Sequence, residues 1–505
     1  MVKTLPLGVS EFPVLRRNPG YLYIDKTQYL ASLFPPHGFD NAHLFLARPR
    51  RFGKTLLVST MEALFQGKRT LFTDTWIGRE GNWNWNRNRL AVLRLSLALR
   101  GRHRARTVEQ ALGRTVGRQA RVHAAPCDPA LPADEQLEDL IRFLAEQSGE
   151  QIVVLIDEYD MAITENLGHI EALPGIVDVL RGFYGVLKEL SGCIRHTFVT
   201  GITRAGLFSG ADHLKDLSFF PAVNALLGFT QAEMRGNPDM HTLVGRCASH
   251  LQCSAAELYG AMAHRYDGYR FARGGEPVCN PYSVAGCLFH LGTPESAALW
   301  SLDRLPDFWA ESGTPSVLRD ILRANPQKVP LEDAVDALAA IEEPHFDVED
   351  PPLAGLLYQS GYLTRKPAPE GAASTGEEVL DFPNREVRNA FESSLRSWYK
   401  TQTRAWFARH EPEPQVFLAR LRTSLVRGDA EAFRNCLAAY LGSLPYVLHR
   451  LPSAVAALAH YEVYYQSLLY MLFVAMGAEP QAEMPPARGV STWPLRSRIA
   501  SSCWN

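Results

Sequence analysis

The sequence predicts an α/β domain with a parallel sheet over roughly its first 225 residues, followed by mostly helical chain. Three observations carry that expectation. Four short apolar runs, Leu44–Ala47, Val92–Ser96, Ile152–Ile156 and Thr197–Thr200, are near-continuous rather than alternating, as strands covered on both faces must be. Helical periodicity separates the runs, which is the pattern of strands joined by crossover helices. The first run leads through a glycine directly into a helical pattern, a strand-to-helix turn of the kind that opens toward ligands.

The helix after the first run places Leu57, Val58, Met61, Leu64 and Phe65 on one face, and Gly67 is suited to end it. Thr230 followed by Glu233 is a capping-box pattern that opens another helix. From there to about residue 365 the chain reads as helical. Pro367–Glu378 is rich in Pro, Gly, Ala and Glu and reads as a loop or linker. After Phe382 helical patterns resume and run to Met476. The expected regions are a sheet domain over 1–225, a helical arm over 226–365 and a C-terminal region over 380–505, without internal repeats.

The chain has 505 residues, 46% hydrophobic and 21% charged, which is too long for one core. A net charge of −2 gives no global attraction to nucleic acid or to an anionic membrane. The eight cysteines form no CxxC pair, so reduced thiols in a cytosolic protein are expected rather than a zinc site. The first residues hold no apolar core of a secretory signal. The longest strongly apolar stretch, Leu468–Met476, is far short of the ~20 residues a membrane span needs. A cytoplasmic protein without membrane contact is the expectation. Trp76–Arg121 is rich in Arg with Trp76, Trp83 and Trp85 interleaved; a solvated helix with core tryptophans is preferred there over a single-strand-binding surface.

The chemistry concentrates at the ends of three apolar runs. Arg48-Pro49-Arg50-Arg51-Phe52-Gly53-Lys54-Thr55 follows a strand and opens a helix, the context in which a phosphate-binding Walker A loop is meaningful. Backbone N–H groups of Arg50, Arg51, Phe52 and Gly53, with the positive end of the helix, suit phosphate oxygens. Gly53 would let the backbone approach closely. Lys54 would reach the β- and γ-phosphates, and the Thr55 hydroxyl would ligate Mg²⁺. The usual first glycine is replaced by Arg48. Ile152–Ile156 ends in Asp157-Glu158, the Walker B form: Asp157 would hold the metal, and Glu158 would orient or deprotonate the attacking water. The next run ends in Thr200-Gly201-Ile202-Thr203-Arg204, where Thr200 or Thr203 could sense the γ-phosphate and Arg204 could act on transition-state charge.

These residues resemble the AAA-ATPase-like proteins of bacteria and some archaea. The resemblance includes Leu5–Ser10, Tyr23–Thr27, Arg48–Lys54 with the arginine as it stands, Leu155–Asp160, Thr200–Arg204, Gly228–Thr230, Tyr266–Phe271, Asn280–Ser283 and Pro383–Val387. It implies a P-loop ATPase core using ATP and Mg²⁺, a helical arm and a C-terminal nuclease-like domain of the PD-(D/E)xK type. Tyr461–Leu468 resembles the first core helix of that nuclease, with Glu462 as its metal-side carboxylate. Such nucleases then need an Asp and a Glu-x-Lys on adjacent strands, and neither follows Glu462 in this sequence. A one-base shift of reading frame near Gly489 permits a segment that carries both. The expectation is a truncated product with an inactive nuclease and a protease-sensitive tail from about residue 440. The functional expectation is a Mg²⁺-dependent ATPase, with a nucleotide-dependent binding switch without turnover, or a remnant of a frameshifted gene, as alternatives. Nucleic acid contacted by the C-terminal region and assembly into a homo-oligomer are the partners this leaves open.

Overall fold

The computed structural model describes residues 2–34, 42–99, 101, 104–167, 169–207, 214–309, 341, 353–367, 378–391, 393–394 and 414–442. Its centre is a five-stranded parallel sheet: β1 (Ala42–Ala47), β2 (Val92–Ser96), β3 (Ile152–Asp157), β4 (Ile194–Gly201) and β5 (Lys215–Asp216), in the order β2-β3-β4-β1-β5. The four expected runs are four of these strands. β5 was not expected, because two residues that pair only with Leu44 and Phe45 leave no hydrophobic pattern to read.

Both faces of the sheet are covered, which is why its strands are continuously apolar. Every residue of β3 is buried. Ile152, Val154 and Ile156 join one large core with α4 (Ala105–Val122), α5 (Ala133–Ser148) and α7 (Leu173–Glu189). The alternate residues Val153 and Leu155 face the opposite side, where α3 (Lys54–Phe65) packs. The five predicted apolar positions of α3 are all buried. Gly67, in a left-handed conformation (φ 72°), ends that helix by donating to Leu64 O. Two short helices, α1 (Phe12–Arg17) and α2 (Thr27–Leu33), precede the sheet, and α6 (Met161–Thr164) follows β3.

A second core lies in residues 226–309, with α8 (Gln231–Gly236), α9 (Pro238–His250), α10 (Ala255–Tyr266), α11 (Pro281–His290) and α12 (Pro294–Ala297). Thr230 and Glu233 form the expected capping box at α8. This core also takes in Leu5, Leu22 and Ile24 from the start of the chain. Short bridges between Phe229 and Cys279 and between Tyr269 and Val278 interrupt its helical character. Farther on, α13 (Leu353–Ser360) precedes β6 (Thr364–Pro367) and β7 (Glu378–Asp381), which pair antiparallel across the stretch expected to be a loop or linker.

The chain divides into two compact units, Met1–Ala324 with Asp333–Arg388, and Asn325–Glu332 with Asn389–Asn505. In the second, α14 (Pro414–Val426) and α15 (Ala430–Gly442) pack on each other. Glu462, the helix expected around it and the rest of the predicted nuclease-like tail lie outside the described residues. Among the described residues, no helix is long and apolar enough to cross a membrane. Two tryptophans of the Arg-rich stretch serve packing: Trp83 is buried against Phe65 and Trp85 packs on Phe72; Trp76 is half-buried, and its backbone N–H donates to Asp25.

His196 of β4 is a buried neutral imidazole. Its Nδ1 accepts from Ala42 N–H at 3.1 Å, and its ring packs between Phe34 and Phe65. Burial, with the neighbouring charges of Arg195 and His43, pushes its pKa down to about 3. The unfolded chain takes up that proton near the ordinary value of 6.5 and the folded chain does not, so stability falls as pH drops from 6.5 toward 3 and is unaffected by this group above 6.5. Replacing His196 with Gln will lower stability at neutral pH. It will also flatten the decline of the urea midpoint between neutrality and about pH 4 relative to the unmodified chain.

Candidate nucleotide-binding site

β4 pairs with β3 on one side and β1 on the other, all parallel, so the carboxyl ends of the three strands open at one edge of the sheet. The chain leaving β1 turns through residues 48–53 into α3. Gly53 caps α3 in the left-handed region (φ 95°), and a Cβ there would meet nothing nearer than a Leu227 methyl at 3.9 Å. Backbone rotation, not crowding by other protein atoms, therefore calls for glycine. Arg51 is also left-handed (φ 67°). No side chain caps the start of α3, so its first-turn N–H groups and the positive end of its dipole are left to the cleft.

Lys54 lies at the base of the loop, 9% exposed, and donates to Arg48 O and Pro49 O, each at 2.8 Å. Burial lowers its pKa to about 8, opposed by the nearby carboxylates of Asp157, Asp160 and Glu158. Asp157, at the end of β3, is 1% exposed. Its Oδ1 accepts from Glu158 N–H at 3.0 Å, while its buried Oδ2 has no hydrogen-bond partner among the described residues. Burial raises the pKa of Asp157, and the adjacent Thr55 hydroxyl and Lys54 ammonium work against that rise. Glu158 follows in a left-handed conformation (φ 58°), half-buried.

These groups line a cavity of about 470 Å³, within the ~300–1,000 Å³ range of small-molecule sites. One wall is Arg50–Thr55 with Asp157, Glu158 and Asp160; the others are Leu5–Ser10, Leu22–Ile24, Lys26, Leu226–Phe229, Pro281 and Tyr282. The cavity is thus polar at the loop and apolar away from it. Residues 6–209 match the family model of AAA-ATPase-like proteins, described as a predicted AAA-ATPase. Over 497 residues the chain is 28% identical to an uncharacterized protein of the vnfD 5′ region of Azotobacter chroococcum mcd 1, spanning 96% of this chain and 86% of that one. Two solved structures align at low similarity. The Aeropyrum pernix ORC2 protein in ADPNP–ADP complexes aligns at 12% identity and a TM-score of 0.31, covering 79% of this chain and 96% of that one. The Aeropyrum pernix ORC1 protein in complex with DNA aligns at 14% and 0.24, covering 76% and 96%.

The matched segment, residues 6–209, holds every predicted site residue, but the cavity does not take all of them. Arg50, Arg51, Phe52, Gly53, Lys54, Thr55, Asp157 and Glu158 line it. The Phe52 ring turns away into Tyr269 (4.8 Å) and Phe271 (5.2 Å), which leaves its backbone to the cleft. The Arg51 guanidinium lies over the Tyr282 ring at 4.5 Å. Thr200 and Arg204 do not line the cavity. The Thr200 hydroxyl donates to Leu46 O at 2.7 Å, stitching β4 to β1. Arg204 pairs with Asp216 at 2.6 Å, donates to Ile341 O and lies over the Phe219 ring. Thr203 is also engaged, donating through both its N–H and its hydroxyl to Asp160 Oδ2 at 2.6 Å. What β4 offers the cavity is the Gly201–Ile202 backbone, and a Cβ on Gly201 would collide with Asp160 and Tyr159.

Sequence reasoning gave no role to Asp160 or Lys26. Asp160 is buried and accepts from Ile202 and Thr203, clamping the loop after β4 to the loop after β3. Lys26 donates to both carboxylate oxygens of Glu233 and to Ala225 O. The signals were the Asp160 that follows Asp157 and the Asp25-Lys26-Thr27 run, neither of which has a local pattern that declares its partner. Arg48, in the usual glycine position, points away from the phosphate loop. It is 1% exposed, donates to the carbonyls of Ala47, Ser218 and Val223, and lies over the Phe271 ring at 4.3 Å. Arg48→Gly, which restores the usual loop sequence, should therefore destabilise the chain by about 3 kcal/mol, because buried carbonyls lose their donor and the site cannot refill. Chemical denaturation of the two proteins side by side measures it.

Proposed function

We propose that the cleft binds ATP with Mg²⁺ and hydrolyses it. The observation that carries this reading is that the buried Asp157 carboxylate, whose Oδ2 has no hydrogen-bond partner among the described residues, lines the same cavity as Lys54 and the uncapped start of α3. A carboxylate oxygen without a partner is costly unless a ligand completes it. The N–H groups of 50–55 bind the phosphate oxygens, and Lys54 leaves the Arg48 and Pro49 carbonyls to reach the β- and γ-phosphates. Thr55 and Asp157 fit Mg²⁺, which takes few protein oxygens and completes its shell with phosphate and water. Bound there, Mg²⁺ would neutralise charge developing on the transferring phosphoryl group. Glu158 orients and deprotonates the attacking water. The base takes the apolar part of the cavity between Leu5–Val9 and Leu226–Phe229. Thr200 and Arg204 act as positioning residues, through Leu46 and Asp216 respectively.

The second reading is a nucleotide-dependent switch without turnover. It is favoured by the engagement of Thr200, Thr203 and Arg204 elsewhere, which leaves the cleft without a side chain from the end of β4. A site completed by an arginine from a second copy of the chain is distinct from that switch, because its turnover per chain would rise with protein concentration.

The test is Mg²⁺-dependent ATP binding and hydrolysis by the full chain. Lys54→Ala is expected to lose binding. Glu158→Gln should bind and lose turnover by ~10²-fold or more. Asp157→Asn should remove the Mg²⁺-dependent part of the thermal stabilisation by ATP. Identical behaviour of all four proteins would overturn the assignment. Binding without turnover in the unmodified chain at every protein concentration would select the switch.

A further inference from the structure

The 18-residue helix α4 is strongly two-faced. Val108, Leu112, Val116 and Ala120 are spent in the main core. Its outward face carries Arg106, Arg114, Arg118 and Arg121, all exposed. At 100° per residue, Arg106, Arg114 and Arg121 lie within about 80° of one another, opposite the buried face, and Arg118 flanks them. No carboxylate pairs with any of the four among the described residues; Arg118 donates to Thr115 and Arg121 to Gly117 O. The only acidic residue of the helix, Glu109, is half-buried at the side. In a chain with 52 basic and 54 acidic residues, a solvated face would ordinarily mix signs, and this one does not.

We propose that α4 is a nucleic-acid contact, gripping a phosphate backbone through Arg106, Arg114, Arg118 and Arg121. Guanidinium groups bind phosphate in a two-pronged manner that lysines cannot. The helix is ~27 Å long, and duplex DNA carries a charge every ~1.7 Å of its axis, so each arginine along α4 can find a phosphate. An acidic protein of ordinary composition does not present charge at that density. A membrane surface is disfavoured because the apolar side of α4 is already consumed by the core, leaving nothing to insert. The neighbouring α5 exposes charges of both signs, Glu135, Asp139 and Glu146 with Arg142, so the single-sign face belongs to α4 and not to its neighbour. The four groups are guanidiniums, which grip phosphates, so the contact reads charge and not bases and carries no sequence preference. This inference does not depend on the ATPase reading.

The test titrates the full chain against fluorescein-labelled single-stranded and duplex oligonucleotides of mixed sequence, followed by anisotropy at several potassium chloride concentrations. The comparison proteins carry Arg106, Arg114, Arg118 and Arg121 all changed to Gln, or all changed to Lys. The unmodified chain should bind at least one of the two with a steep salt dependence. The glutamine variant should lose ~3 units of the slope of log K against log salt and roughly 100-fold or more in affinity. The lysine variant should keep most of the slope. Unchanged melting temperature and ATP binding in the glutamine variant separate the result from misfolding. Failure of the unmodified chain to bind either oligonucleotide, retention of its affinity in the glutamine variant, or equal binding of polyglutamate or anionic vesicles would overturn the proposal.

Discussion

The placement of β4 between β1 and β3 is the constraint from which the cleft follows. Parallel pairing on both sides forces three strands to end at the same edge, and the loops that leave them have no option but to meet. The Thr200 hydroxyl on Leu46 O and the Asp160 carboxylate on Ile202 and Thr203 tighten that meeting from either side. The phosphate loop is thereby held against β4, and the Asp157-Glu158 corner against the loop after β4.

Buried polar groups in the first unit fall into two populations. Arg48, Asp160, Thr200 and Thr203 have acceptors or donors close by, and each ties one chain segment to another. Their burial is offset locally, so they belong to the architecture. Asp157 accepts at one oxygen and has no hydrogen-bond partner among the described residues at the other, at a raised pKa. That open oxygen belongs to a residue that lines the cleft, where a bound cation would complete it.

The sheet was legible in the sequence because a strand covered on both faces leaves a local trace, and Val92–Ser96 was bounded to the residue. The capping box at Thr230 and the end of α3 at Gly67 were legible for the same reason: the interacting groups sit within a few residues. The phosphate loop and the Asp157-Glu158 corner could be found because their residue types and order are specific to their chemistry. The apolar wall of the cavity could not, since Leu5–Ser10 and Leu226–Phe229 are brought together by tertiary packing that no window of sequence contains. The orientation of Thr200 and Arg204 was beyond reach for a related reason. A position at a strand tip places a residue near the cleft, but what its side chain reaches is decided by Leu46 and Asp216, which lie on other strands. Arg48 stands between these cases, visible as a departure and intelligible only once Ser218, Val223 and Phe271 surround it.

The Lys26 ion pair has a consequence for how the first unit comes apart. Lys26 Nζ reaches both oxygens of Glu233 and Ala225 O, while Glu233 also closes the capping box of α8. Leu5, Leu22 and Ile24 are buried in the same helical core. The opening residues of the chain therefore complete a core formed by residues more than two hundred positions later. A fragment beginning at residue 226 would expose the apolar seat of those three side chains and leave Glu233 without its cation. Autonomy of the helical region is thus not to be sought by cutting between the sheet and the helices; the piece that could stand alone must include the strip up to Thr27. During synthesis on the ribosome that strip emerges early and waits, unpartnered, until α8 to α11 have left the exit tunnel.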